Sequence, residues 1–294
     1  MFFDLSAAYD VLDRDIFLRK AEVCGIAGSA LKWLRSYLSN RSQIVQVGQG
    51  YSGQLILDSG TPQGSACSCL VFIMYVGDLP LWINEGFLEA YADDVFVTVE
   101  ADTETELRKK LEKEGENILK FFASNRLVAN ASKTALIVFR TKNQGELFSI
   151  ELQGEIITEA DEEKLLGVHV QGDLKWTKHI DKVTSDLNYG LSVLQRLRHH
   201  LGKKELTIVA DGLVMAKVRY CLPAFAAEAI RLQTSDPQST QLQRIQVCQN
   251  NMLRTLTGSH RRDRVRVADM LASTGFLSVN QWASYSLLME IWKA

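Results

Sequence analysis

Apolar residues fall in short blocks through the first 175 positions and then settle into helical spacing. Phe2, Phe3 and Leu5 surround Asp4 in a stretch that predicts a short buried strand. Arg14 to Leu38 predicts helix in two pieces, broken near Gly25 and Gly28. Gln43–Val47 and Gln54–Leu57 predict two strands around a glycine-rich turn. Gly60 to Gly64 predicts a loop, and the apolar Ser65–Val76 a helix buried on all sides. Two β-rich runs, Phe87–Tyr91 and Val95–Val99, flank Ala92-Asp93-Asp94, which predicts a hairpin with acids at its tip. Thr103–Phe122 has the helical spacing Leu107, Leu111, Ile118, Phe122. Strands are expected over Thr134–Arg140, Leu147–Leu152 and Leu165–Val170. From Trp176 the pattern is helical: His179–Leu201, Lys204–Ala227, Gln241–Thr257, Val265–Ala272 and Asn280–Trp292. The change sets a domain boundary near residue 175, with a mixed domain over 1–175 and a helical one over 176–294.

A chain of 294 residues with 46% apolar content can bury one large core or two ordinary ones. Its net charge of −2 hides an asymmetry. Residues 1–175 hold 17 Lys and Arg against 26 Asp and Glu, net −9; residues 176–294 hold 16 against 9, net +7. An acidic half joined to a basic half fits a metal-using site beside a phosphate-binding surface, or two solvated surfaces of opposite sign. Five scattered cysteines exclude a disulfide scaffold, and no pair of CxxC elements marks zinc. Cys67 and Cys69 read as small packing residues of the buried helix. The start, MFFDLSAAYD, lacks the basic and apolar regions of a signal peptide. The most apolar run, Leu70–Val76, is far short of the ~20 residues a membrane span needs. A soluble intracellular protein is expected, nuclear or cytoplasmic, with no membrane partner.

Three carboxylates sit in company wrong for a solvated surface: Asp4 between Phe3 and Leu5, and Asp93 and Asp94 between two apolar strands. A charge on a strand among apolar neighbours is costly unless an opposite charge joins it. Divalent cations are natural partners, because Mg²⁺ takes a few carboxylate oxygens and completes its shell with water and phosphate. Two such ions about 4 Å apart serve in-line displacement at phosphorus. The alternative is that Asp93 and Asp94 are ordinary turn residues.

The order of the surrounding motifs favours the first of these. Phe3-Asp4-Leu5-Ser6-Ala7-Ala8-Tyr9-Asp10 is followed by Gly60-Thr61-Pro62-Gln63-Gly64-Ser65, Tyr91-Ala92-Asp93-Asp94, Asn130-Ala131-Ser132-Lys133-Thr134 and Leu165-Leu166-Gly167-Val168. In this order and spacing they resemble the successive motifs of a reverse transcriptase. Phe72-Ile73-Met74-Tyr75 with Asp78-Leu79-Pro80, Leu174-Lys175-Trp176 with His179-Ile180, and the ending Thr274–Gln281 resemble the non-LTR, LINE-like branch, jockey-like elements included.

That resemblance implies a fold and roles. The fold would be α+β: a polymerase palm, a ferredoxin-like antiparallel sheet with helices on one face, then an all-α thumb-like domain, with the fingers missing. The activity would be RNA-directed DNA polymerisation with two Mg²⁺ ions, Mn²⁺ being an alternative. Partners would be an RNA template, a DNA primer or duplex, and deoxynucleotide triphosphates. Asp4, Asp93 and Asp94 would be the catalytic, metal-binding aspartates, with the Leu5 carbonyl a further ligand. Tyr9 would be the gate under the sugar, and Pro62, Gln63 and Gly64 would meet the incoming nucleotide. Lys133 would stand catalytically near the leaving pyrophosphate, or be a solvated lysine before a strand. Cys69 stands where the family commonly has proline, and Glu89 places a charge just before Tyr91.

The basic half carries two clusters. Arg196, Arg198, His199, His200, Lys203 and Lys204 crowd one helix end; Arg254, Arg261, Arg262, Arg264 and Arg266 crowd another with His260. Cations on helices can track a phosphate backbone without reading sequence. Trp282, Tyr285 and Trp292 are expected in the helical core. Three functions follow: an active polymerase fragment, a nucleic-acid-binding remnant without turnover, or another two-metal enzyme such as a nucleotide cyclase. Pro62-Gln63-Gly64 and the basic half argue against the last.

Overall fold

The computed structural model describes residues 1–129, 134–140, 147–231 and 240–293, without the side chains of 227–231 and 240. The chain divides into two compact units, Met1–Asp161 and Glu162–Ala294.

The first unit is mixed. Its strands are β1 (Phe2–Phe3), β2 (Arg41–Gln43), β3 (Gln46–Val47), β4 (Gly50–Tyr51), β5 (Leu55–Leu57), β6 (Phe87–Tyr91), β7 (Asp94–Thr98), β8 (Ser149–Leu152) and β9 (Glu155–Thr158). Its helices are α1 (Ala8–Val11), α2 (Arg14–Val23), α3 (Gly28–Leu38), α4 (Ala66–Val76) and α5 (Glu104–Ser124). The central sheet has the order β1-β7-β6, antiparallel throughout. Val95 and Val97 are 1% exposed, while Asp94 and Thr98 on either side are exposed and Phe96 between them is half-buried, the two-residue period of a half-buried strand. Helix α5 is capped by the Thr103 hydroxyl, which accepts from the Glu106 N–H at 3.2 Å. It buries Leu111, Ile118, Phe121 and Phe122, the last edge-on to Phe3 at 6.1 Å. A fully buried acid on the same helix, Glu114, accepts the Asn84 and Glu85 backbone N–H groups, each at 3.1 Å, and so fixes the approach to β6.

Several expectations are corrected here. Helix α4 is not buried all round: Phe72 and Tyr75 are fully buried against α2, whereas Leu70 and Ile73 are about 60% exposed. Among the described residues only one face is covered, so the other is left outward. Cys69 is exposed and Cys67 partly so. Residues 134–140 form no strand; Ala135 and Leu136 make single bridges to Phe2 and Glu159. Strand β8 is the first arm of a hairpin whose second arm, β9, the sequence pattern hid.

The second unit opens with a hairpin, β10 (Glu162–Leu165) and β11 (Val168–Gln171). The strand expected over Leu165–Val170 is thus split: Val168–Val170 lie in β11, but Leu165 closes β10 and the two are joined by a turn in which Leu166 and Gly167 both have positive φ, +46° and +87°. The hairpin belongs with the helices, because the His169 N–H donates to His179 Nδ1 at 3.4 Å and Lys178 pairs with Glu162 at 3.3 Å. This is why the unit begins at Glu162, ahead of the compositional change at 175.

Seven α-helices follow among the described residues: α6 (Thr177–Leu197), α7 (Lys203–Ala210), α8 (Ala216–Arg219), α9 (Leu222–Arg231), α10 (Thr240–Thr257), α11 (Val267–Thr274) and α12 (Val279–Lys293). A wide turn, Asp211–Met215, carries α7 into α8. The single helix expected over Lys204–Ala227 breaks at Tyr220–Cys221, where Cys221 has φ +52°. Pro223 then sits in the first turn of α9, the one place where a helix tolerates it. Ile180, Leu187 and Leu194 of α6 pack with Ile245, Met252 and Leu253 of α10 in one core. Trp282 joins it, but Tyr285 is half exposed and Trp292 is 81% exposed, contrary to expectation. No helix among the described residues is long and apolar enough to cross a membrane.

Candidate active site

Strand β1 pairs with β7 through Phe2↔Phe96 and Phe3↔Val95. Continuing that register by one residue sets Asp4 across from Asp94. The β6–β7 hairpin closes at Tyr91↔Asp94 over the two residues Ala92 and Asp93, and Ala92 adopts φ +56°, as such tight turns require. The three predicted carboxylates thus come to one end of one sheet. Their electrostatics agree: partial burial, then the charges of Asp93 and Asp4, raise the Asp94 pKa above its ordinary value. Asp93 and Asp94 have no ion pair with Lys or Arg among the described residues.

Beyond Asp4 the chain reverses. Leu5 is buried and bridges to Ala129, and the Ser6 N–H donates to the Val128 carbonyl at 2.9 Å. Ala7 takes the left-handed conformation, φ +50°, and begins α1. This swings Tyr9 onto Phe72 of α4, ring against ring at 4.7 Å. Burial, then the Cys69 thiol, then Asp93 push the Tyr9 phenol above its ordinary pKa. Tyr9 therefore stacks on α4 and feels the charge of the acidic hairpin. Cys69 is the residue that departs from the family pattern, and it meets the predicted gate.

The loop before α4 is held to the same segment. The Gly60 N–H donates to the Leu12 carbonyl at 2.8 Å and the Thr61 N–H to the Tyr9 carbonyl at 2.9 Å. Gly60 has φ +76°, and a side chain there would begin 2.7 Å from the Asp10 carbonyl oxygen, so only glycine allows this approach. Arg14 donates to three carbonyls of the loop, Leu57, Ser59 and Gly60, at 2.6, 2.7 and 2.9 Å. Ser68 donates its hydroxyl proton to the Pro62 carbonyl. Gln63 Nε2 donates to Asp10 Oδ1 at 2.8 Å, and Gly64 turns with φ +77° into α4. Tyr9, Pro62, Gln63 and Gly64 thus gather around one short helical turn. Lys133 lies outside the described residues.

Two supports of the site were not legible in the sequence. Arg14 entered only as the first residue of a predicted helix, yet its planar fork organises the loop. Asp10 appeared in the first motif without a role, yet it holds Gln63.

The donors suit a divalent cation, being hard carboxylate oxygens whose mutual repulsion such an ion would relieve. In this geometry, no three His, Cys, Asp or Glu side chains among the described residues converge tightly enough to hold an ion.

In the second unit, Arg254 and Arg261 donate to the same Asn251 Oδ1, at 3.5 and 3.3 Å. They line a cleft of about 400 Å³ with Arg198 and His260, so one residue of the first basic cluster joins the second. No carboxylate lines it. Arg262, Arg264 and Arg266 are exposed on the following segment. None of the five predicted arginines makes an ion pair among the described residues, whereas Arg219 and Arg244 pair with Asp211 and Asp181. Unneutralised guanidinium groups in a polar cleft suit phosphate oxygens.

Comparison with known proteins bears on both units. A family model described as reverse transcriptase (RNA-dependent DNA polymerase) matches residues 1–170. A Drosophila melanogaster protein described as "Probable RNA-directed DNA polymerase from transposon BS" is 26% identical over 266 residues, 87% of this chain and 28% of its own length. A second, "Probable RNA-directed DNA polymerase from transposon X-element" from the same organism, is 21% identical over 260 residues, 85% of this chain and 28% of its own. The chain spans little more than a quarter of the length of these relatives.

Proposed function

The chain belongs to the reverse transcriptase (RNA-dependent DNA polymerase) family and is LINE-like, and we propose on that premise that it carries the palm and thumb of an RNA-directed DNA polymerase. Residues 1–175 would act as palm and 176–294 as thumb. The observation that carries this reading is the β1–β7 register, which sets Asp4 beside the Asp93–Asp94 hairpin.

In the proposed reaction the primer 3′-oxygen bonds to the α-phosphorus of a deoxynucleotide triphosphate. The bond from that phosphorus to the bridging oxygen breaks, pyrophosphate leaves, and the hydroxyl proton passes to solvent. Two Mg²⁺ ions, when bound, would lower the cost of the charge on the entering and leaving oxygens. Asp4, Asp93 and Asp94 would hold them, with the Leu5 carbonyl a further oxygen donor. Tyr9, braced by Phe72, would limit the space beneath the sugar. Gln63, steadied by Asp10, would meet the nucleotide, with Pro62 and Gly64 shaping the loop. Lys133 would stand near the departing pyrophosphate. Arg254, Arg261, Arg262, Arg264 and Arg266 would hold the backbone of template and primer.

A second reading is a nucleic-acid binder without turnover. It is favoured by the lack, among the described residues, of any three His, Cys, Asp or Glu side chains grouped to hold an ion. Primer extension on an RNA template with Mg²⁺ separates the two. Extension by the wild type that is lost in Asp93→Asn supports the polymerase. Duplex binding without any extension supports the binder.

A further inference from the structure

Two segments that resemble the family, Leu165–Val168 and Leu174-Lys175-Trp176 with His179-Ile180, have no part in the carboxylate site. They meet in the second unit. The β10–β11 turn, the start of α6 and the α8 helix enclose a pocket of about 400 Å³, with Lys164, Gly167, His179, Lys182, Lys217 and Tyr220 in its lining.

His179 is 3% exposed and forms the floor. Its Nδ1 accepts the His169 N–H, so the neutral ring carries its proton on Nε2. That Nε2 has no hydrogen-bond partner among the described residues. A buried donor without an acceptor is costly, and a ligand atom that accepts from it would remove the cost. The rim is cationic. Lys182 is paired with Asp186 at 3.0 Å, but Lys164 and Lys217 have no carboxylate partner among the described residues. The wall between rim and floor is largely apolar. Tyr220 supplies a ring, half exposed, whose hydroxyl donates to the Leu166 carbonyl and whose edge lies against the bare backbone of Gly167.

We infer that this pocket takes a single unpaired nucleotide of a nucleic-acid strand, its phosphate between Lys164 and Lys217, its base beside Tyr220 with an acceptor atom toward His179. An inorganic anion would leave the apolar wall unused. An apolar ligand would leave both lysines without a counter-charge. A nucleotide joins a flat, acceptor-bearing body to one phosphate, and base stacking on an aromatic ring is a general mode of single-strand binding. The inference goes beyond the polymerase reading, since the pocket needs neither metal nor turnover.

The test uses the full chain and a short single-stranded RNA carrying 4-thiouridine. Photocrosslinking with mass-spectrometric mapping locates the strand, and anisotropy over a salt series counts phosphates. The expected adduct lies on the peptide bearing Tyr220. Replacing both lysines, Lys164→Ala with Lys217→Ala, should make the slope of log K against log salt shallower by about 0.7, the value of one single-strand phosphate. Ala216→Trp, at an exposed position in the lining, should abolish the adduct while circular dichroism and Tm stay as in the wild type. Lys175→Ala, outside the lining, should change neither readout. Adducts confined to Arg254–Arg266, or pocket variants that crosslink and bind like the wild type, overturn the inference. So does competition by uridine monophosphate at the strand's own affinity, which would make the free nucleotide the ligand. Primer extension on the same preparations keeps the two claims apart: extension with unaltered pocket variants sinks only the pocket, and a Tyr220 adduct without extension sinks only the polymerase.

Discussion

In the first unit a hairpin and the strand beside it carry Asp4, Asp93 and Asp94 to one end of a sheet; in the second, a helix end and its following loop carry Arg254, Arg261 and their neighbours to one cleft. Each gathers charge of one sign, but with different precision. Strand register fixes short side chains through the backbone itself, so the aspartates are set by hydrogen bonds that mutation of a side chain barely moves. The arginines reach their cleft on long side chains, steadied by the neutral Asn251. Short anchored acids suit chemistry at a fixed point, and long cations suit a backbone that slides past.

The first way to break the contrast is chemical. Asp93→Asn should cut primer extension by about 10²–10³-fold or more, the scale of losing a preorganised charge-stabilising group. Binding of duplex by anisotropy should hold. Arg254→Ala with Arg261→Ala should do the reverse. It should make the duplex salt slope shallower by about 1.8, two phosphates at about 0.9 each, with single-turnover extension at saturating primer near wild type. If the aspartate variant alters the salt slope, or the arginine variant abolishes saturated turnover, the division of labour is wrong.

Smaller effects sharpen it. Tyr9→Ala should relax discrimination between deoxyribonucleotides and ribonucleotides by roughly 10–200-fold, the range for one steric group in a pocket. Competing incorporation of the two nucleotide types reads it directly. Glu114→Gln should cost about 1–3 kcal/mol of unfolding free energy, since a buried acceptor of two backbone N–H groups loses half its capacity. Urea denaturation measures it, and an unchanged midpoint would remove Glu114 from the scaffold.

The smallest effect concerns Asp94, whose folded pKa is raised by partial burial and by Asp93 and Asp4. A raised acid favours the fold while protonated. That contribution is complete below the unfolded Asp value, about 3.9, and fades as pH rises through the folded value. Asp94→Asn never ionises, so its Tm should gain on the wild type across that window and keep the gain at neutral pH. Added Mg²⁺ should narrow the difference. A wild type that gains on the variant with rising pH would mean that Asp94 is stabilised by a partner instead of strained by its neighbours.

The sequence announced some of this and concealed the rest, for reasons that can be named. The acidic hairpin was legible because aromatic residues bound the first arm, Phe87 and Tyr91, and Val95, Phe96, Val97 and Thr98 favour a strand in the second. Gly60 and Gly64 were legible as backbone permits, and both proved to have positive φ. Strands β9 and β10 were hidden by Glu155, Glu162 and Glu163, which break the apolar alternation of edge hairpins. Glu114 was hidden because Glu112 and Glu116 beside it look like one solvated helix face, and only tertiary placement turns it inward. Arg14 is bound by carbonyls 43 to 46 residues away, a contact that no local pattern encodes. The helix break at Tyr220–Cys221 had a signal in Pro223, outweighed by the apolar periodicity on either side.

The proposal that Asp4, Asp93 and Asp94 bind divalent metal is tested most directly by Mn²⁺ titration, following loss of the free-ion signal by electron paramagnetic resonance. The wild type should bind Mn²⁺ saturably, Mg²⁺ should displace it, and Asp4→Asn and Asp93→Asn should each lose that binding while remaining folded. Equal Mn²⁺ binding by the wild type and by a variant with all three aspartates replaced would contradict the account.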